Sequence, residues 1–399
     1  MFQNLDFASY DTYASQENAS AFLLNCDLWR NLKQGRPFWI LETSPSYAAS
    51  LESSAYPHAD GYLQAEAVSS YALGSQGFCY WLWRQRRSGG EISHGSVLSA
   101  WGEPTIGYQN VLAVERARKE IEPVILSTEP VQAEAAMTYS DRAKAFIKTE
   151  PHRGLRHRSL VTHFYERILN TGIHRDLIPE GALLDGYRLL FTPFMPYLSS
   201  EFIKKASAFA EAGGIWITGP LTGGRTCEHT IHTDCGLGEL EKTSGIKTLF
   251  TFPMNENVNT GKAFGITAPL GLWSAVFDTE SGNTLGTVES GPGAGHAFLT
   301  ERNYGEGKIV MLGSLPSGKE GDAMLEALVR HYAEEAGISS RSDVTPGTIV
   351  APRKGDNGLV WIIVNMDGKG GSVTLPEAGT DLLTHRPLGK GGEAGGRTA

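Results

Sequence analysis

Pro37–Ser46 reads PFWILETSPS. Phe38–Leu41 is a short apolar run, the pattern of a strand buried in a sheet. Glu42 follows at its carboxyl end, ahead of Thr43-Ser44-Pro45-Ser46. A carboxylate there is held by a rigid element at the open end of a sheet; a solvated loop glutamate is the plainer alternative. Upstream, Phe7–Tyr13 reads as a strand. Ala19–Leu32 reads as an amphipathic helix with Phe22, Leu23, Leu28, Trp29 and Leu32 on one side, stopped by Gly35. Downstream come an Ala-rich helix, Tyr62–Leu73, and Gly77–Trp83 (GFCYWLW), continuously apolar like a strand buried on both faces. Ile106–Ile121 is a further amphipathic helix. Strand and helix thus alternate three times with polar residues after the strands, which predicts a parallel α/β fold with its chemistry at the carboxyl ends of the strands.

A second α/β unit follows. Ala133–Thr138, Tyr187–Thr192 and Ile215–Thr218 read as strands, and Arg158–Thr171 and Ser199–Ala212 as helices. This is the pattern of a doubly wound sheet of the flavodoxin type. Residues 246–316 look β-rich, Lys308–Gly313 is a late strand and Gly321–Ala336 a closing helix. From about residue 345 short strands take over (Thr348–Ala351, Leu359–Asn365, Ser372–Leu375), and the last stretch, HRPLGKGGEAGGRTA, reads as disordered. The expected domains are 1–125, 130–338 and 345–399.

The 399 residues carry a formal net charge of -9. Such a surface repels phosphate backbones, so nucleic acid is not an expected partner. No apolar run reaches the length of a membrane span. The start, MFQNLDFASYDTY, has no basic and apolar leader pattern. Four scattered cysteines, Cys26, Cys79, Cys227 and Cys235, make no disulfide framework and fit a reducing cytoplasm.

Two places carry chemistry. Glu42 is the first, because glycoside hydrolysis needs carboxylates at positions of this kind. Tyr80–Gly95, YWLWRQRRSGGEISHG, is the second. Trp81 and Trp83 can form a platform for a sugar ring, Arg84 and Gln85 supply donors, and Glu91 and His94 are spaced to converge on hydroxyls. Trp81 and Trp83 as core residues, with Glu91 and His94 as a surface pair, remains the alternative, which a strand apolar on both faces cannot decide.

PFWILETSPS, then YWLWRQRRSGGEISHG, then Trp101-Gly102-Glu103-Pro104, resembles the nucleophile strand and last barrel strand of the family 42 β-galactosidases in order, spacing and residue type. The resemblance covers nearly the whole chain. It implies the C-terminal part of a (β/α)8 TIM barrel, a flavodoxin-like, glutamine-amidotransferase-like trimerisation domain, and a small, incomplete β-sandwich-like domain. It implies a retaining β-galactosidase acting on terminal β-D-galactosyl residues as a homotrimer, without a cofactor. Glu42 is implied as the nucleophile, Glu91 and His94 as ligands of galactose hydroxyls, and Trp81 as part of the sugar wall. Tyr10, Asp11 and Tyr13 match a strand-end motif one βα unit earlier.

Two departures stand out. Ser50 occupies the place, eight residues after the nucleophile, where the family usually has Trp. The family's acid/base Glu, in an Asn-Glu pair ending an early barrel strand, has no counterpart. Asn255-Glu256 lacks a strand-end context, and only three of the eight βα units of a barrel precede the second unit. The expectation is a chain without the first five units and inactive, or nearly so, by itself. The alternative is a non-catalytic assembly or sugar-binding module with a vestigial barrel.

Other signals are weaker. Cys227, His229, His232 and Cys235 have zinc-type side chains at a spacing that matches no standard site, and an ordinary polar loop is expected. An amidotransferase would need a nucleophilic Cys after YRLLFT (Tyr187–Thr192), where Pro193 stands instead. SGPGAGHAF lacks the Lys-Ser/Thr of a phosphate loop.

Overall fold

The structure is a computed structural model that describes residues 4–50, 56–150, 155–253, 258–341, 344–345 and 347–396. It divides into two compact units, one of residues 1–131 with 341–399 and the other of residues 132–340.

The first unit opens with Ala8–Asp11 (β1), Ala19–Leu32 (α1), Phe38–Glu42 (β2), Tyr62–Ala72 (α2), Ser75–Phe78 (β3), Ile106–Ser127 (α3) and Glu129–Pro130 (β4). Its first three strands form a parallel sheet in the order β1-β2-β3. Alternation along β2 decides its faces: Phe38 and Ile40 are fully buried, while Leu41 is 43% exposed. α1 buries the expected stripe of Phe22, Leu23 and Leu28. Gly35, at φ +74°, takes the left-handed conformation that turns the chain into β2.

The second unit runs through Ala135–Tyr139 (β5), Asp141–Thr149 (α4), His157–Asn170 (α5), Arg175–Pro179 (β6), Leu189–Thr192 (β7), Ser200–Glu211 (α6), Ile215–Thr218 (β8) and Gly238–Ser244 (α7). It continues as Thr248–Pro253 (β9), Asn259–Ala263 (β10), Ile266–Gly271 (β11), Trp273–Phe277 (β12), Asn283–Ser290 (β13), Ala297–Tyr304 (β14), Gly307–Leu312 (β15), Leu315–Pro316 (β16) and Gly318–Glu335 (α8). The parallel strands lie in the order β6-β5-β7-β8-β15. In order of appearance that is 2-1-3-4-5, the flavodoxin arrangement. Antiparallel strands extend the sheet beyond β15. Its core packs Phe202, Ile203, Trp216, Leu240, Phe277 and Met311.

The chain then returns to the first unit as Thr348–Gly355 (β17), Gly358–Asn365 (β18), Gly371–Thr374 (β19), Gly379–Asp381 (β20), Arg386–Leu388 (β21) and Glu393–Gly396 (β22). β17 pairs with β18 and with β4. From β17, the buried Arg353 guanidinium donates to the carbonyls of Tyr71, Ala72 and Ile125 and to Thr128 Oγ1. Those carbonyls lie at the ends of α2 and α3, where a helix leaves its last carbonyls over; Tyr71 also accepts from the Gly74 amide at 3.1 Å.

Three expectations are corrected. The strand read over Gly77–Trp83 ends at Phe78, because residues 82–85 take their hydrogen bonds from Val97 and Leu98 instead. Trp83 is accordingly 65% exposed rather than buried. α3 runs past Ile121, through Pro123, to Ser127. The stretch from His385 onward is not disordered over the described residues: β22 pairs with β19 across the fully buried Val373. Pairing of that kind needs no apolar period in the strand itself. Asn255-Glu256 lies outside the described residues. Among the described residues no helix is long and apolar enough to cross a membrane.

Candidate active site

The parallel register sets Asp11, the last residue of β1, beside Glu42, the last of β2. The main chain continues the ladder past the strand ends. The Thr12 amide donates to the Glu42 carbonyl at 2.9 Å, the Thr43 amide to Cys79 at 3.0 Å, and the Trp81 amide to the Thr43 carbonyl at 2.9 Å. Residues 11–13, 42–43 and 79–81 are therefore fixed relative to one another.

On this frame Tyr13 Oη donates to Glu42 Oε2 at 2.6 Å, the length of a hydrogen bond to a charged acceptor. Partial burial, then the bond to Glu42 and the nearby carboxylates of Asp11 and Glu91, push the Tyr13 phenol up, so it stays a donor. The Asp11 carboxyl is also raised, by burial and then by Glu42. The His94 ring meets Tyr13 edge-on, with centroids 5.6 Å apart. Its Nδ1 lies 2.9 Å from the Gly95 carbonyl. A carbonyl only accepts, so Nδ1 carries a proton and Nε2 is left to act toward a ligand.

Trp81 Nε1 donates to Glu91 Oε2 at 3.2 Å. Arg86 lies over the Trp81 ring at 4.8 Å and sets its Nε 3.5 Å from the same oxygen. Glu91, His94, Trp81 and Tyr13 thus belong to one connected set reaching Glu42. Arg86 escaped the sequence reading, although the basic run RQRR beside Trp81 was a usable signal.

Other candidates go elsewhere. The Arg84 Nε and Nη2 donate to the Ala100 carbonyl at 3.2 and 2.8 Å, so Arg84 staples a loop and is not brought to Glu42. Tyr10 is buried, stacks on Trp29 at 5.0 Å and meets Cys26 Sγ at 3.3 Å, which makes it a core residue. Ser50 is exposed. In the second unit His229 contacts Glu150 and Thr149, His232 the Gly223 carbonyl, and Cys235 the Gly238 carbonyl. Among the described residues no three potential metal ligands converge.

Comparison with known proteins follows the same division. Residues 1–121 match a family model described as beta-galactosidase, residues 133–339 a beta-galactosidase trimerisation domain, and residues 347–395 a beta-galactosidase C-terminal domain. Beta-galactosidase YesZ of Bacillus subtilis is 97% identical over 386 residues, spanning 97% of this chain and 58% of that protein. The YesZ of Bacillus licheniformis is 68% identical over 388 residues, again 97% and 58%. The chain therefore spans 58% of the length of these curated relatives. A beta-galactosidase structure from Bacillus circulans sp. alkalophilus superimposes with a TM-score of 0.88 at 20% identity, over 98% of this chain and 58% of that one. Gan42B, a GH42 beta-galactosidase from G. stearothermophilus, gives 0.87 at 21%, over the same 98% and 58%.

Proposed function

We propose that this chain, which belongs to the family 42 β-galactosidases, carries the nucleophile side of a retaining β-galactoside hydrolase. The observation that carries this reading is the 2.6 Å bond from Tyr13 to Glu42 at the end of β2, within the set that holds His94, Trp81 and Glu91. Glu42 attacks the anomeric carbon, and Tyr13 holds the carboxylate in one orientation. Glu91 and His94 accept from sugar hydroxyls beside the Trp81 ring. A retaining mechanism needs a second carboxyl about 5–5.5 Å from the first, to protonate the leaving group and then activate water. Glu91 is committed to Trp81 and Arg86, and Asp11 sits beside Glu42 on the neighbouring strand. We therefore assign the acid/base to sequence beyond this chain, and read the chain alone as unable to turn over ordinary galactosides. The trimerisation family of the second unit supports assembly as a homotrimer. The unpaired state of Cys26, Cys79, Cys227 and Cys235 supports the cytoplasmic expectation.

The test separates the two carboxylates. An activated fluoro-galactoside with a dinitrophenolate leaving group needs no proton on departure and traps the glycosyl-enzyme. The chain is expected to be labelled at Glu42, with Glu42→Gln slower by roughly 10⁴-fold or more, the scale on which removal of a nucleophile acts. Plain nitrophenyl galactoside should not be hydrolysed by the chain alone. Labelling elsewhere, or none, would favour the assembly module.

A further inference from the structure

Glu66 is fully buried on α2, at 0% exposure. Thr43 Oγ1 donates to its Oε2 at 3.4 Å, and Oε1 has no hydrogen-bond partner. The groups that sense its charge are Tyr62 on the same helix, Cys26 on α1 and Tyr80 beyond β3. None of them is basic, and burial pushes all three upward, out of the neutral range. An acid in such a place is held protonated, and burial raises the Glu66 carboxyl to about 8. A carboxyl kept uncharged is costly unless the fold uses it, and its one partner is the residue that follows Glu42.

Thr43 is a junction. Its amide donates to the Cys79 carbonyl and its carbonyl accepts from the Trp81 amide, so one residue ties the end of β2 to the arm that carries Trp81 and Glu91. Its side chain is 1% exposed and turned to Glu66.

We propose that Glu66 is a positioning residue for the galactoside site: its buried carboxyl accepts from the Thr43 side chain, and through Thr43 sets Glu42 and Trp81 relative to each other. This rests on the reading of Glu42 as nucleophile. The Thr43 hydroxyl is the donor, so an acceptor at position 66 is what the junction needs.

The experiment uses the chain with Glu66→Gln, which keeps shape and neutrality, and Glu66→Leu, which removes the polar group. One readout needs no sugar: hydrogen exchange at the Thr43 and Trp81 amides. The other is the rate of labelling by the fluoro-galactoside. In that reaction a Glu42 oxygen bonds to the anomeric carbon as the bond to dinitrophenolate breaks, and the leaving group departs with the electron pair. Glu66→Gln, which keeps an acceptor for Thr43, should hold the labelling rate and the protection of the unmodified chain. Glu66→Leu should lose protection at Thr43 and Trp81 and label more slowly, by about tenfold or more. Full protection and full labelling rate in Glu66→Leu, or equal losses in Glu66→Gln and Glu66→Leu, would overturn the proposal. If even the unmodified chain fails to label, the nucleophile reading falls. The exchange data would then still decide whether Glu66 holds the junction.

Discussion

Both units present the carboxyl ends of parallel strands, yet the two ends differ in chemistry. In the second unit several of the polar groups there bond to one another or to the main chain. Thr192 Oγ1 accepts from Trp216 Nε1 at 2.9 Å, Thr222 Oγ1 donates to the Thr192 carbonyl at 2.8 Å, and Thr218 Oγ1 reaches the Val310 carbonyl at 3.3 Å. Arg225 pairs with Glu150 at 2.7 Å. In the first unit three acids, Asp11, Glu42 and Glu91, gather around Tyr13 with Arg86 as the cation in contact. The second unit packs a broad sheet around Trp216 and Phe277. The first buries Phe22, Leu24, Phe38 and Ile40 and adds to that apolar core the polar clamp of Arg353.

The clamp offers the largest effect on that contrast. Replacing Arg353 by Met leaves the carbonyls of Ala72, Ile125 and Thr128 without the Arg353 donor in a buried setting, while Tyr71 keeps the Gly74 amide. Each such loss costs about 1–3 kcal/mol, and the sum, after relaxation, is expected at about 3–5 kcal/mol. Differential scanning calorimetry should show the transition of the first unit moving down while that of the second stays. If both move together, the units do not divide their stability in this way and the comparison fails.

A smaller effect sharpens the chemical half. Tyr13→Phe removes the donor to Glu42 and should slow labelling by roughly ten- to hundredfold, from about 1.5–3 kcal/mol for a bond to a charged group. Thr192→Val, at the matching strand end of the second unit, should leave the labelling rate unchanged. Equal losses from the two would mean that Tyr13 acts through folding rather than through Glu42.

How much of this was legible in the sequence follows from the range of the interactions involved. α1 was read to the residue because its apolar stripe repeats within the helix and Gly35 marks its end. The placement of Glu42 at the end of β2 was equally local. Gly77–Trp83 misled because an apolar run does not say where its hydrogen bonds go, and residues 82–85 found Val97 and Leu98. α4 was missed because Asp141–Thr149 is mostly polar and shows only Ala143 and Ile147 to the core. β22 was missed because its partner, β19, is remote in sequence. Tyr10 and Tyr13 look alike in SYDTY, but Tyr10 lies within β1 and packs on Trp29, while Tyr13 lies two residues past its end and reaches Glu42. Glu66 is an unremarked acid in an Ala-rich helix until burial is known.

The smallest expected effect concerns Cys227 and Cys235. As a sequence, TCEHTIHTDCG invites a metal, and a bound ion would make this loop a second site and undo the contrast between the units. The geometry argues otherwise, because each side chain has a separate partner: His229 is held by Glu150, His232 by Gly223, Cys235 by Gly238, and Cys227 lies exposed beside Glu228, whose carboxylate raises its thiol. A closed zinc site would need four ligands within about 2.0–2.3 Å of one point, and reaching it would break the Glu150 and Gly238 contacts. Replacing Cys227 and Cys235 by Ser together should change stability by less than about 0.5 kcal/mol, as for surface positions generally. Added zinc should leave the melting temperature of the unmodified chain where it is, since an ion that bound the folded loop would raise it by mass action. A zinc-dependent rise that disappears in the double variant would turn the quiet strand end into a second centre.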